Sequence, residues 1–259
     1  MNNVKSAERV LDLLELLSMN QRPMRFNEIA VSLGYPKSSL HGLLATLVNR
    51  SYVVRDDGDR YALVDSFRDG FNWIGGFEAV LRRHAIPIMT AARDASGETV
   101  FLSIRDANHD ARLVHKVVSR QPIRYDSGNE ALPGYASVMG RVLLAYASPE
   151  EVDAYFERTE LRRFTDKTLT EESAIRLVLE DIRQRGYGII EEEYTIGGCG
   201  IAAPVRDRAG RVVAVLDIAT VTQRYELRKS EMLACVLAAA TELSAKLGYA
   251  PDTNIGAKK

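Results

Sequence analysis

The chain has 259 residues, 46% of them hydrophobic, enough to bury one large core or two smaller ones. Its 34 lysines and arginines nearly cancel 35 acidic residues, for a formal charge of −1. Bulk charge therefore gives no case for a nucleic-acid partner, although a neutral total does not exclude a basic face. Cys199 and Cys235 are too few for a disulfide scaffold and fit a reducing compartment. No run approaches the roughly 18 apolar residues of a membrane span, and "MNNVKSAERV" lacks the apolar core of a signal peptide. The expectation is a soluble, cytoplasmic protein with no membrane partner.

Residues 5–19, "KSAERVLDLLELLSM", carry Val10, Leu11, Leu13, Leu14, Leu16 and Leu17 at the spacing of an amphipathic helix, with Ser6 as candidate cap. "RFNEIAVSL" predicts a short second helix capped by Asn27 and closed by Gly34. Pro36 suits the first turn of a third helix, which ends near Asn49. In "YVVRDDGDRYALV" the Asp57–Gly58 pair signals a hairpin, because glycine tolerates the positive φ of tight turns. The next segment predicts a connecting helix and then a longer one, broken at Gly75–Gly76.

From Thr99 the pattern shifts to short β-rich runs, "TVFLSIRD", "ARLVHKVVS" and "IRYD". Helical patterns return in "SVMGRVLLAYAS", "EEVDAYFERTEL" and "EESAIRLVLEDIRQRG". "YGIIEEEY", "GIAAPVRD" and "RVVAVLDIAT" predict strands, the last two joined by a turn at Ala209–Gly210. "RKSEMLACVLAAATELSAKLGY" predicts a final helix. The result is an α+β chain. Its boundaries are a helical domain with a hairpin over 1–64, a linker helix over 65–80, a sheet domain over 81–250 and a disordered tail over 251–259.

Two short helices joined by a glycine-containing turn form a helix-turn-helix shape. The second can enter a DNA major groove with its N-terminal residues toward base edges. Lys37, Ser38 and Ser39 fall in its first turn, while Leu40, Leu43, Leu44 and Leu47 hold the other face against the first two helices. Arg55 and Arg60 flank a hairpin wing suited to the DNA backbone. Many helix-turn-helix shapes never touch DNA, and pattern alone leaves both readings open. Eight lysines and arginines against seven acidic residues in 1–64 make only a weak basic balance.

Over nearly its full length the chain resembles IclR-family transcriptional regulators. The N-terminal likeness is carried by "NEIAVSLGYPKSSLHGLLATL" and the wing ending in "YALV". The C-terminal likeness is carried by "LPGYASVMGRVLLAYASPEE" and "IRQRGYGIIEEEYTIGGCGIAAPVRDRAGRVVAVLDIA". The resemblance implies a winged helix-turn-helix, a linker helix and a GAF-like or profilin-like effector-binding sheet domain. It implies DNA contacts from Arg25, Lys37, Ser38, Ser39, His41, Gly42, Thr46, Arg55 and Arg60. Gly42 stands where the family usually carries arginine. Either a phosphate contact is missing or the helix backbone approaches the duplex closely, and an altered operator preference is expected.

The resemblance also implies an effector pocket at Val138, Met139, Ile190, Gly198, Gly200, Asp217 and Ala219. In relatives that bind small carboxylates the stretch matching Val138–Gly140 is small and glycine-rich, presenting amides at a helix start. Here Val138 and Met139 are bulkier, Ile190 replaces a residue that is polar in some relatives, and the cysteine before "IAAP" moves one place, to Cys199. Asp217 interrupts an apolar strand, and a buried carboxylate is costly unless partnered. The alternative is an edge-strand aspartate facing solvent or pairing with an arginine. An ionised Asp217 would repel an anion, so the expected effector carries hydroxyl, amide or aromatic hydroxyl groups rather than being a plain two-carbon acid.

The expected function is a ligand-responsive, sequence-specific regulator of a catabolic or small-molecule operon. It reads a quasi-palindromic operator in double-stranded DNA as a homodimer or homotetramer and needs no cofactor. The alternatives are a cytosolic enzyme using the C-terminal pocket and a protein-binding winged-helix adaptor. Other constellations carry less. Cys199 in a flexible "GGCG" loop lacks a recognisable base for a nucleophile. His84, His109 and His115 with Cys199 match no zinc spacing, and "GGCG" is no P-loop. The glutamates of "IIEEEY" are expected at a strand edge and solvated turn, able to hold a cation only weakly. Trp73 and Phe77 suit an interface more than a cofactor.

Overall fold

The computed structural model of the chain describes residues 4–20, 22–56, 58–64, 76–128 and 131–250. Two compact units meet between Leu81 and Arg82. The expected linker helix up to residue 75, with Trp73 and Gly75, and the expected tail over 251–259 lie outside the described residues, as does Asp57.

The first unit contains α1 (Lys5–Met19), α2 (Phe26–Leu33) and α3 (Lys37–Asn49), followed by a hairpin of β2 (Val53–Arg55) and β3 (Arg60–Leu63). A short β1 (Met24–Arg25) pairs with β3, giving the order β1-β3-β2. Each helix contributes one apolar stripe: Leu13, Leu14 and Leu17; Ile29 and Ala30; Leu40, Leu44 and Leu47. These pack with Met24, Val53, Tyr61 and Leu63 into one core. Gly34, at φ +66°, closes α2 with its N–H on the Ala30 carbonyl, a left-handed position that favours glycine.

The expected caps do not hold. The residue before α1 is Val4, so Ser6 lies inside the helix, and α2 starts at Phe26, which places Asn27 in its first turn. Glu28 takes over at α2 by accepting the Arg25 backbone N–H at 2.8 Å. Pro36 stands just before α3.

The second unit is a five-stranded antiparallel sheet with helices. The strands are β4 (Thr99–Arg105), β5 (Ala111–Val117), β6 (Gly188–Glu191), β7 (Gly198–Arg206) and β8 (Val212–Val221), in the order β5-β4-β8-β7-β6. The helices are α4 (Gly76–Ser96), α5 (Val138–Ala145), α6 (Pro149–Arg158), α7 (Glu172–Arg185) and α8 (Thr222–Lys246). Strand alternation sends Val215, Asp217 and Ala219 to the face that meets α5. Ala214, Leu216 and Ile218, also buried, face the other way.

Three expectations change here. The "IRYD" run is irregular backbone rather than strand. The last helix begins at Thr222, six residues before the expected start, and is broken at Arg228 (φ −131°), where its strong pattern begins. β8 is the middle strand, paired with both β4 and β7, so Asp217 is no edge residue.

Candidate nucleic-acid interface and ligand pocket

Leu40, Leu44 and Leu47 turn inward, and the α3 face opposite them is therefore polar. Lys37, Ser38, His41, Gly42 and Thr46 are all exposed on it. Ser38, Gly42 and Thr46 recur at four-residue spacing, and the Thr46 hydroxyl donates back to the Gly42 carbonyl at 2.8 Å. The His41 ring lies beside Phe26, centroids 6.3 Å apart. A methyl group built on Gly42 would meet nothing within 4 Å, so folding makes no demand for glycine there.

Ser39 departs from this set. It is half-buried, and its hydroxyl accepts from Arg9 of α1 at 3.0 Å. Arg9 also stacks 5.2 Å over the Tyr35 ring, and the Tyr35 hydroxyl donates to Asp12. Sequence reasoning missed this brace between α1 and α3. Arg25 and Arg60 are exposed register partners across β1 and β3. Arg55 is exposed on β2, paired with Asp59 at 2.6 Å and 5.8 Å over Tyr61.

In the second unit a cavity of about 390 Å³, including its open mouth, brings together Val138, Met139, Ile190, Gly198, Gly200, Asp217 and Ala219. Sequence reasoning missed Tyr125, Leu132, Ser137, Tyr194 and Thr195 in its wall. Tyr125 and Thr195 come from segments without secondary-structure periodicity, which left no signal to find them by. Two glycines make the space. A Cβ on Gly200 would stand 2.9 Å from Val138 Cγ1 and 3.0 Å from Asp217 Oδ1, and one on Gly198 would stand 2.6 Å from the Tyr125 ring.

Ser137 caps α5, accepting from the Gly140 N–H at 3.1 Å and donating to the Pro133 carbonyl at 2.8 Å. Val138 and Met139 open α5 and line the cavity wall. Asp217 is 2% exposed, and its Oδ1 has no hydrogen-bond partner among the described residues. Burial pushes its carboxyl well above the usual carboxylate range, against a smaller downward pull from the Ile201 backbone N–H. Burial also raises the Tyr125 phenol.

Cys199 lies in β7 rather than in a flexible loop, and burial pushes its thiol up, the opposite of what activates a nucleophile. No group of three or more His, Cys, Asp or Glu side chains able to hold a metal occurs among the described residues.

The expected strand edge is there, since Glu191 ends the outer strand β6 and is exposed, but Glu192 and Glu193 are half-buried and partnered rather than a solvated turn. The Tyr225 hydroxyl donates to Glu191 at 2.5 Å, and Lys229 pairs with it at 3.1 Å. Glu192 takes Lys167 at 2.5 Å, and the Thr222 hydroxyl and the Gly197 N–H each at 2.9 Å. Glu193 takes both ends of the buried Arg141 guanidinium at 2.7 and 2.5 Å. The three carboxylates thus fasten the segment leading to Tyr194 and Thr195 at the pocket mouth.

Comparison with known proteins agrees with both halves of this description. Residues 6–57 match the IclR helix-turn-helix domain, and residues 78–245 match the Bacterial transcriptional regulator IclR C-terminal domain. The chain is 31% identical to the HTH-type transcriptional regulator KdgR of Escherichia coli over 96% of its length and 94% of that protein's. It is 32% identical to the Glycerol operon regulatory protein of Streptomyces coelicolor, covering 95% of this chain and 97% of the relative. An IclR homologue from Microbacterium hydrocarbonoxydans, solved in complex with 4-hydroxybenzoate, shares the fold at TM-score 0.62 and 22% identity, covering 93% of this chain and 98% of that one. No helix among the described residues is long and apolar enough to cross a membrane. The α+β architecture, the helix-turn-helix unit and the matched sequence place the chain in the IclR family of DNA-binding transcriptional regulators.

Proposed function

We propose that the protein is a ligand-responsive regulator of a catabolic or small-molecule operon, acting in the cytoplasm. Lys37, Ser38, His41, Gly42 and Thr46 face the major groove, and Arg25, Arg55 and Arg60 follow the phosphates. Ser39 acts indirectly, by bracing α3 on Arg9. Two copies at least read a quasi-palindromic operator, because one recognition helix covers only a half-site. The effector binds the cavity at Val138, Met139, Ile190, Gly198, Gly200, Asp217 and Ala219. It combines an apolar or aromatic body with a polar group: a hydroxyl, an amide or a phenol. Binding shifts operator affinity only as far as the effector prefers one arrangement of the protein over another.

The observation that carries the reading is the cavity itself, whose wall mixes apolar side chains with Tyr125, Ser137, Tyr194 and Thr195 and holds, among the described residues, one unpartnered buried oxygen on Asp217. Such a site is suited to capture rather than turnover, since its thiol is held in the unreactive form.

Fluorescence anisotropy on DNA from upstream of the protein's own gene, across a salt series and against scrambled competitor, tests the regulator reading. Wild type should bind specifically, with affinity falling as salt rises. Lys37→Ala should weaken binding on all sequences and reduce the salt slope by about 1. Equal binding to both DNAs, or wild-type affinity in both Lys37→Ala and Ser38→Ala, would remove α3 from the interface.

A further inference from the structure

Among the described residues, Asp217 is the one in the cavity wall whose side chain has a buried oxygen with nothing to bond. Its Oδ1 stands directly over Gly200, where a Cβ would be only 3.0 Å away, and the same missing Cβ opens the space toward Val138 at the start of α5. On β4 and β7 its register partners are Phe101 and Ala202, neither of which can supply charge. Among the described residues no lysine, arginine, histidine or second carboxylate lines the cavity. The titratable side chains that face it among the described residues are the Tyr125 and Tyr194 phenols, whereas the Cys199 thiol, one register place off, turns to the Thr222 hydroxyl on the other side of the sheet. The charged residue of α5, Arg141, is turned to Glu193 and to the Tyr135 carbonyl. At the outer mouth Asp126 is paired with Lys116 at 2.7 Å.

A carboxylate so enclosed, with no counter-ion, keeps its proton. The Ile201 N–H occupies part of its acceptor capacity, which leaves the hydroxyl of the neutral acid to project at Oδ1. Val138 and Met139, at the start of α5, line the same cavity. The wall therefore offers a donor where an ionised aspartate would have offered an acceptor.

We propose that Asp217 is a specificity-determining proton donor: the neutral carboxyl gives its hydrogen bond to an acceptor oxygen of the effector, and effector binding is thereby linked to proton uptake. This rests on the effector-pocket reading and revises one part of it. The polar group that meets Asp217 is a carbonyl or carboxylate oxygen rather than a hydroxyl or amine acting as donor. Repulsion between Asp217 and an anion disappears because the two oxygens share a proton.

The linkage has a defined sign. Only the protonated form of Asp217 binds an acceptor well. Affinity is flat while Asp217 stays protonated in the free protein and falls tenfold per pH unit above that point. A cationic donor ligand would show the opposite slope.

The first measurement needs no ligand. Infrared spectra of the full-length protein should show a protonated-carboxyl C=O stretch at neutral pH that is lost in Asp217→Asn, with far-UV circular dichroism confirming that the variant folds. Selective ¹³C labelling of aspartate gives the same reading in the wild type. An Asp217 carboxyl that ionises together with the surface aspartates overturns the proposal.

The second measurement is calorimetric titration from pH 6 to 9 with 4-hydroxybenzoate and pyruvate as acceptor probes and 4-hydroxybenzylamine as donor probe. Binding of an acceptor probe that weakens tenfold per pH unit, with the slope abolished in Asp217→Asn, supports proton sharing. Tighter binding of the amine, or acceptor affinity that stays flat through the pH at which the infrared band shows Asp217 ionising, overturns the proposal and leaves the pocket reading standing. If no probe of either kind binds, the pocket reading and this proposal fall together.

Discussion

Arg141→Met removes a charge that, with Glu98, is the most deeply buried of the second unit. Arg141 is 1% exposed, and its guanidinium makes three hydrogen bonds: Nε to the Tyr135 carbonyl at 2.6 Å, and Nη1 and Nη2 to Glu193 at 2.7 and 2.5 Å. Methionine fills the volume of the stem but leaves Glu193, 15% exposed, with only the Leu169 N–H at 3.3 Å, and it strands the Tyr135 carbonyl. Breaking one side of a buried pair costs about 3–5 kcal/mol. Partial access of water to Glu193 places this case at the low end, about 3 kcal/mol. For a unit of this size that lowers Tm by about 6–12 °C. The double variant Arg141→Met/Glu193→Leu should recover most of the loss, because no unpaired charge remains and only the Tyr135 carbonyl and Leu169 N–H lose partners. Differential scanning calorimetry of the full chain, followed through the transition of the second unit, measures both. A single variant within about 2 °C of wild type, or a double variant no more stable than the single, would refute the argument that this pair holds the pocket mouth.

Three further outcomes are expected. Gly42→Ala should stabilise α3 by up to about 1 kcal/mol, since the added methyl meets nothing within 4 Å. Operator affinity should fall in the same variant, and denaturation midpoint and anisotropy together test that split. Gly200→Ala should cost about 1–3 kcal/mol and abolish effector binding, because its Cβ would stand 2.9 Å from Val138 Cγ1 and 3.0 Å from Asp217 Oδ1; unchanged ligand titration would refute it. The folded-state pKa of Asp217 is raised, so the stability tied to its proton is complete below the unfolded value and is lost as pH rises through the folded one. Between those two values Asp217→Asn should gain on wild type by about 1.4 kcal/mol per pH unit, and a stability difference that ignores pH would contradict this.

The first unit was legible because its signals are local. Leucines at helical spacing, Gly34 and the hairpin turn each specify structure within a few residues, and their sum is a helix-turn-helix. The two N-caps were misplaced by two residues each because capping depends on which side chain reaches the amide. At α2 that side chain is Glu28, acting from inside the helix, and residue type alone favoured Asn27. Ser39 looked like its neighbours Lys37 and Ser38 in sequence, yet three-dimensional placement gives it to Arg9. Periodicity identified the inward stripe of α3 but could not tell which flanking polar residue leans toward α1.

Asp217 shows where sequence stops being informative. A carboxylate in an apolar run allows an exposed edge, an ion pair or a neutral buried acid, and these differ in nothing local. Strand order decides among them. Because β8 lies between β4 and β7, its residues alternate between two covered faces. The face that takes Asp217 meets glycines at 198 and 200 and the start of α5, so it meets space instead of a partner. Its ionisation state, and with it the inferred chemistry of the effector, follows from three segments that are distant in the chain. The glutamates at 191–193 follow the same logic in reverse. They read as a solvated charge run until Tyr225, Lys167 and Arg141 arrive from three other segments to partner them one by one. Asp217 is therefore neutralised by a proton where the glutamates at 191–193 are matched by partners from distant segments, and that difference is what separates the pocket from its frame.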